Sequence, residues 1–181
     1  MSAPPIIVQI LLALIVVTAA MFDFRYRRVP NWLTLSGVLL GIGLNAFLFE
    51  TPGLWASLRG LGLAFLIYFP LYLLRGMGAG DVKLMAAVGA IVGPANWLGI
   101  LVLTSLMGGV AALVLVTAKG RFRKTLENIW LILMSVRTGR APYENPQLDV
   151  RTNQGIRLPH AVVIAFGTFG FLIAAAIWAP K

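Results

Sequence analysis

Two aspartates lie at the ends of apolar runs, where charged side chains are uncommon. Asp23 follows the run from Ile6 to Phe22, and Asp81 precedes the run from Val82 to Val92 in the stretch RGMGAGDVKLMAAVGAIVG. Two carboxylates that approach each other share one proton, because both cannot ionise readily. Such a pair can hydrolyse a peptide bond: the charged carboxylate takes a proton from water, and the neutral carboxyl donates one to the scissile carbonyl.

The elements that position these acids are predicted to be membrane helices. The chain is 59% hydrophobic and 12% charged, with a mean hydropathy of +0.88, whereas an average soluble domain is about 25% charged. The apolar runs are Ile6 to Phe22, Leu33 to Phe49, Leu58 to Leu74, Val82 to Val92, Trp97 to Ala118 and Ala161 to Ala179. We expect an all-α, polytopic membrane bundle of about six transmembrane helices, in which the fourth run is short for a span.

The distribution of basic residues predicts the topology. With six spans, 13 of the 15 Lys and Arg residues fall in the first, third and fifth connections, and only Arg59 and Lys181 fall on the opposite side. Basic loops stay in the cytoplasm, so both termini are expected outside. Asp23 and Asp81 are two spans apart and therefore share the cytoplasmic face. The first run could instead be a cleaved signal peptide, but no basic residue precedes Arg25, against the pattern of such peptides.

We expect one membrane-embedded domain over residues 1–181. Its long cytoplasmic loop, about 119–160, contains apolar residues spaced three or four apart, which is typical of an amphipathic helix on the leaflet surface. We expect a loop over residues Ala141 to Arg157. We also expect turns between spans at Glu50 to Trp55 and at Gly93 to Trp97.

Several classes of function are excluded or disfavoured by composition. The chain has no cysteine and one histidine, so thiolate chemistry is excluded, no metal site is expected, and no cofactor is needed for hydrolysis by two carboxylates. The stretch GMGAGD lacks the spacing of nucleotide-binding loops. The net charge of +9 is explained by membrane topology and attraction to anionic lipid, and no nucleic-acid partner is expected.

Each aspartate also has a structural explanation. Asp81 could cap the N-terminus of a helix, and Asp23 could be an interfacial acid paired with nearby arginines. It is less probable that both structural explanations hold at once than that one of them does, because ionisable groups at membrane depth are rare and usually functional.

The motifs around both aspartates resemble those of the type IV prepilin peptidases, which are bacterial membrane aspartyl proteases. GAGDVKLM is similar to the family's G-x-G-D-x-K motif, and DFRYRRVPNWLT is similar to its first-aspartate loop, with Pro30 and Asn31 before the next span. RLPHAVVIAFG, Arg157 to Gly167, is similar to the motif that opens the last span. The resemblance implies a catalytic pair of Asp23 and Asp81, with Gly78, Gly80, Lys83, Pro30, Asn31, Pro159 and His160 binding substrate or supporting the site.

The resemblance further implies that the chain removes the basic leader of single-span, pilin-like precursors at the cytoplasmic face of the bacterial inner membrane, with both termini periplasmic. Large members carry a cysteine-containing region associated with N-methylation, so methyltransferase activity is not expected. The short form is most similar to peptidases of tight-adherence (Flp-type) pili. His160 stands where an aromatic is usual, and planar packing is expected ahead of a role in tuning the aspartates.

Other assignments stay open. Lys83 either reaches the cytoplasmic interface or holds the substrate or an ionised aspartate. A basic leader favours recognition by acids, for which Glu127, Glu144 and Asp149 are candidates. The alternative functions are a non-enzymatic membrane subunit or a small ion-coupled transporter using both aspartates, or cleavage of another single-span protein. The sequence leaves the oligomeric state open. The short fourth run is also a candidate for an element that moves when the aspartates close.

Overall fold

The computed structural model describes residues 4–138 and 159–178, and these are built from helices joined by short connections. The helices are α1 (Ile6–Tyr26), α2 (Asn31–Leu73), α3 (Ala79–Ala118), α4 (Phe122–Arg137) and α5 (His160–Trp178). Four of the helices in the described ranges, α1, α2, α3 and α5, are long and apolar enough to cross a membrane. The prediction of an all-α chain with membrane-spanning helices is therefore confirmed.

Helix α2 folds back on itself at Glu50. This residue has non-helical angles (φ 53°, ψ −140°), and the arms on either side of it are in contact. The Ser57 hydroxyl donates to the Gly41 carbonyl at 3.5 Å, although 16 residues of continuous helix would separate the two by about 24 Å. The two arms of α2 are therefore antiparallel, and the second returns the chain to the end where α2 began.

Helix α3 folds back in the same way at Gly93. Its angles (φ 73°, ψ 174°) are accessible to glycine and strained for other residues. The Trp97 indole N–H donates to the Met85 carbonyl at 3.1 Å, across a sequence distance that would span about 18 Å in a straight helix. The arm from Ala79 to Val92 is consequently antiparallel to the arm that starts at Pro94.

Asn45 stabilises this reversal from the facing arm of α2. Pro94 has no N–H to donate to the Ala90 carbonyl, and Gly93 interrupts the helix beside Ile91. The buried Asn45 amide donates to the carbonyls of Ala90 at 3.2 Å and Ile91 at 2.9 Å, and to Gly41 of its own helix at 2.9 Å. A side-chain donor thus satisfies backbone groups at a break that would otherwise be costly in an apolar interior.

The predicted lengths of two turns were wrong. The segments 50–55 and 93–97 were expected to be turns, but each contains a single non-helical residue, Glu50 or Gly93. The helices restart at once because Pro52 and Pro94 lie in the first turn of the following arm, where proline is tolerated.

The first arm of α3 is the centre of the bundle. Every residue from Val82 to Gly93 except Lys83 is buried, and the Gly60 and Gly89 backbones pack so closely that an added Cβ on either would overlap the other's carbonyl. A segment surrounded by protein does not need the length of a lipid-exposed span. The buried end at Gly89 to Gly93 gives no support to movement of this segment, and movement on substrate binding stays a prediction.

Helix α4 lies within the predicted amphipathic region and is the only helix described there. One face carries large apolar side chains that are exposed, namely Phe122, Leu126, Ile129, Trp130 and Leu133. This face fits the predicted position on the leaflet surface. The predicted loop from Ala141 to Arg157, with Glu144 and Asp149, lies outside the described residues.

Candidate active site

Asp23 is a buried carboxylate in the last turn of α1. Its side chain is 8% exposed, and its Oδ2 accepts a hydrogen bond of 3.0 Å from the backbone N–H of Ala161. Ala161 is the second residue of α5 and is fully buried. The contact joins residues 138 positions apart, so the first acid is fixed against the start of the last helix.

Asp81 is the third residue of α3 and is partly buried. Gly78 occupies the N-cap position, and the Asp81 carboxylate accepts a hydrogen bond from the Gly78 backbone. The Asp81 carboxylate interacts electrostatically with Asp23 and with His160. The fold therefore brings together the two acids that the sequence singled out, one from α1 and one from α3.

The two motif glycines leave room for the carboxylate and for the neighbouring connection. An ideal Cβ on Gly78 would lie 3.2 Å from Asp81 Oδ2, and one on Gly80 would lie 3.2 Å from the Val29 Cβ. Gly78 is extended (φ −78°, ψ 148°), and Gly80 has no positive φ. Glycine is therefore favoured at both positions because it lacks a Cβ, and not because it can adopt a positive φ.

The connection between α1 and α2 packs against the same turn of α3. Pro30 precedes α2 as its N-cap residue with extended angles, and the Asn31 side-chain oxygen accepts a hydrogen bond of 2.9 Å from the Lys83 ammonium. Lys83 is exposed. The predicted pair Pro30 and Asn31 is thus joined to the α3 motif through Lys83, while contact of Lys83 with substrate stays a prediction.

Pro159 and His160 form the start of α5. The Pro159 carbonyl accepts bonds from the N–H groups of Val162 at 3.2 Å and Val163 at 3.4 Å. The His160 side chain is exposed and interacts electrostatically with Asp81. Planar packing of His160 and an influence on the aspartates both stay predictions.

Tyr68 is a residue that the sequence reasoning missed. It lies on the returning arm of α2, is 4% exposed, packs edge-on against Trp97 with ring centroids 6.1 Å apart, and interacts electrostatically with Asp81. Its signal in the sequence is weak, because a tyrosine within an apolar run more often packs or anchors at an interface. Only the fold-back at Glu50 places it near the acids.

Of the acids proposed for leader recognition, Glu127 is described. Its Oε1 atom forms an ion pair at 3.3 Å with Nε of Arg123, which lies one turn earlier on α4. Both side chains are largely exposed. Exposed pairs of this kind are weak, so the pair does not prevent Glu127 from meeting another cation.

Comparison with known proteins places these features in a family. Residues 10–113 match the model of the type IV leader peptidase family, over a range that includes both aspartates and ends before α5. No solved structure matches the chain.

Curated relatives agree with the family match. The chain is 34% identical over 122 residues to the prepilin leader peptidase/N-methyltransferase of Xanthomonas campestris pv. campestris, covering 64% of this chain and 42% of that protein. It is 33% identical over 99 residues to the protein of the same description from Escherichia coli K12, covering 51% and 44% respectively. The chain spans less than half the length of these relatives. The family match over more than half of the chain nevertheless shows that it belongs to the type IV leader peptidase family.

Proposed function

We propose that this chain is a membrane aspartyl endopeptidase that removes the basic leader from type IV prepilin-like precursors at the cytoplasmic face of the inner membrane. The observation that carries the proposal is that Asp23 and Asp81, from helices far apart in sequence, lie near enough to interact electrostatically. The curated relatives named above are leader peptidases, so the alternative of an ion-coupled transporter or non-enzymatic subunit has no support from them.

The proposed chemistry uses the pair as acid and base. One carboxylate takes a proton from water, whose oxygen attacks the scissile carbonyl carbon, while the other carboxyl protonates the carbonyl oxygen. The resulting gem-diol collapses when the C–N bond breaks: the leaving nitrogen receives a proton from one carboxyl, and a gem-diol hydroxyl gives its proton to the other carboxylate as the new carboxyl group forms. The two carboxyls end with one proton between them, as they began, so the cycle needs no covalent intermediate.

The substrate is proposed to approach this end of the bundle from the bilayer. A single-span precursor with a basic leader would present its cleavage site at the membrane surface, where Asp81 is partly accessible beside the exposed Lys83 and His160. Glu127 stays a candidate for contact with the leader by charge complementarity. The N-methyltransferase part of the relatives' names lies outside the proposal, and the prediction against that activity stays untested.

The topology proposed with this function has six membrane segments and periplasmic termini. The reversals at Glu50 and Gly93 divide α2 and α3 into two antiparallel arms each, which supports six crossings when α1 and α5 are added. The concentration of basic residues in alternate connections supports a cytoplasmic position for the aspartates. Accessibility of single cysteines to an impermeant reagent tests this directly, because the parent chain has none: position 50 should react from outside and position 76 from inside.

The test of the function is cleavage of a pilin-like precursor by purified, reconstituted protein. Asp23→Asn and Asp81→Asn should each reduce cleavage below detection while leaving insertion and thermal stability close to those of the parent, because the amide is nearly isosteric with the carboxyl. Glu50→Gln is the matched control, since it removes an acid at the opposite end of the bundle. Normal cleavage by either aspartate variant would contradict the proposed pair, and an inactive parent protein would contradict the peptidase assignment for the precursor tested.

A further inference from the structure

The contact between Asp23 and the start of α5 is built from a backbone group that has no other partner in its helix. The first N–H groups of a helix lack intrahelical acceptors. At the start of α5, the N–H groups of Val162 and Val163 turn to the Pro159 carbonyl, and that of Ala161 donates to Asp23 Oδ2 at 3.0 Å. Both Ala161 and Asp23 are buried, so water does not compete well for this bond.

This bond affects the charge of Asp23. A carboxylate that is 8% exposed stays charged in an apolar environment only if it is hydrogen-bonded or paired. Its own helix does not help, because Asp23 lies in the last turn of α1, where the helix dipole disfavours negative charge. The N-terminus of α5 supplies the opposite dipole together with a direct donor, and both stabilise the charged form.

The charged form of Asp81 is less strongly stabilised than the charged form of Asp23. Asp81 also lies in the first turn of a helix, so the dipole of α3 favours its ionisation. Its carboxylate also accepts a hydrogen bond from the exposed Gly78 backbone and interacts with His160, and both favour its charge. The bond to Asp23, however, joins two buried groups, where water competes less than at Gly78, so it stabilises a charge more strongly. Because the two acids interact electrostatically, a charge on Asp23 disfavours a second charge on Asp81.

We propose that the N-terminal turn of α5 holds Asp23 as the ionised member of the pair, so that Asp23 takes the proton from water and Asp81 protonates the scissile carbonyl. Ala161 is then a positioning residue that acts through its backbone N–H. The inference rests on the proposed peptidase function. It also gives the motif at Pro159 and His160 a physical purpose: it starts a helix at the point where Asp23 needs a donor.

The test removes the donor without removing a side chain from the site. Ala161→Pro eliminates the N–H in the first turn of α5, where proline is compatible with a helix, and Ala161→Gly is the matched control that keeps it. The proline variant should lose roughly 10- to 100-fold in cleavage rate at neutral pH, and the acid limb of its pH–rate profile should move to higher pH by about one to two units. The glycine variant keeps the N–H, so the acid limb of its pH–rate profile should stay in place.

The direction of the change identifies the role of Asp23. If Asp23 were instead the proton donor, loss of the N–H would keep it protonated to higher pH, and the alkaline limb would move while the acid limb stayed in place. That result would overturn the proposal, and so would a proline variant whose profile matches the parent. If Ala161→Pro does not insert, replacing Ala161 by lactic acid during cell-free synthesis removes the N–H without adding a ring. The shift of the acid limb of the pH–rate profile is then measured on that protein.

The effects of other titratable groups near the two aspartates must be distinguished from the effect on Asp23. His160 on α5 and Tyr68 on α2 interact with Asp81, and Lys83 of α3 lies two residues after it. The exposed arginines Arg25, Arg27 and Arg28 follow Asp23. Repeating the comparison in a His160→Gln background removes the single histidine of the chain. The acid limb should still move when Ala161→Pro is added, and a shift that disappears in this background would assign the effect to His160 and refute the proposal.

A readout without substrate separates this inference from the peptidase assignment. With selective ¹⁵N labelling of Ala161, the amide proton resonance should move upfield in Asp23→Asn, because a neutral acceptor weakens the bond, and should move much less in Asp81→Asn. That pattern in a protein that cleaves no precursor would leave the charge assignment standing and refute only the function. Equal shifts in both variants would refute the charge assignment, whatever the cleavage result.

Discussion

Replacement of Gly78 by alanine should reduce cleavage without reducing stability. The added Cβ would lie 3.2 Å from Asp81 Oδ2, whereas ordinary contacts begin at about 3.4 Å. The carboxylate must therefore move by a few tenths of an ångström. A displacement of 1 Å in a catalytic group costs about 100-fold in rate, so we expect a loss of about threefold to tenfold for alanine and about 100-fold for the larger Gly78→Val.

The same segment supplies the control. An added Cβ on Gly76 would meet the Leu71 carbonyl at 3.5 Å, which is an ordinary contact, so Gly76→Ala should cleave like the parent. All of these backbones are compatible with alanine because none has a positive φ. Both alanine variants should therefore be as stable as the parent or more stable by up to about 1 kcal/mol, through loss of chain entropy in the unfolded state.

The assay is the initial rate of leader removal by reconstituted protein, with the thermal midpoint measured on the same samples. The reasoning predicts a fall in rate at constant stability for Gly78→Ala and no fall for Gly76→Ala. Equal rates for the parent and Gly78→Ala would show that the carboxylate is not sterically confined by this position. A fall of similar size in both variants would show that the whole segment, and not the contact with Asp81, limits activity.

Three further perturbations follow from individual contacts. Asn45→Ala should lower the free energy of unfolding by about 2 to 3 kcal/mol, because it leaves two carbonyls of α3 without their side-chain donor; an unchanged denaturation midpoint would contradict this. Glu50→Gly should raise stability by about 1 kcal/mol because Glu50 has a positive φ of 53°, and a lowered midpoint would count against strain at the reversal. Lys83→Met should cost less than about tenfold in cleavage if the lysine only bonds Asn31 at the surface, and complete loss would indicate direct contact with the substrate.

The apolar runs predicted the helices well, because a helix is the form in which a single apolar segment satisfies its own backbone in lipid. The lengths of the connections were predicted poorly. Gly, Pro and Thr around residues 50–55 and 93–97 are typical of loops, yet the chain reverses at one residue in each case. At Gly93 the short reversal is stabilised by Asn45 from a neighbouring arm, a donor whose position depends on packing and not on local sequence.

The sequence by itself singled out two acids as candidates, because Asp23 and Asp81 are ionisable groups at the ends of apolar runs with motifs of one family around them. Tertiary structure alone decided what surrounds each acid. Tyr68 lies near enough to interact electrostatically with Asp81 because α2 folds back, and Asp23 accepts its hydrogen bond from a residue 138 positions away. Periodicity and spacing report on neighbours within about one helical turn, whereas such contacts depend on how whole helices pack.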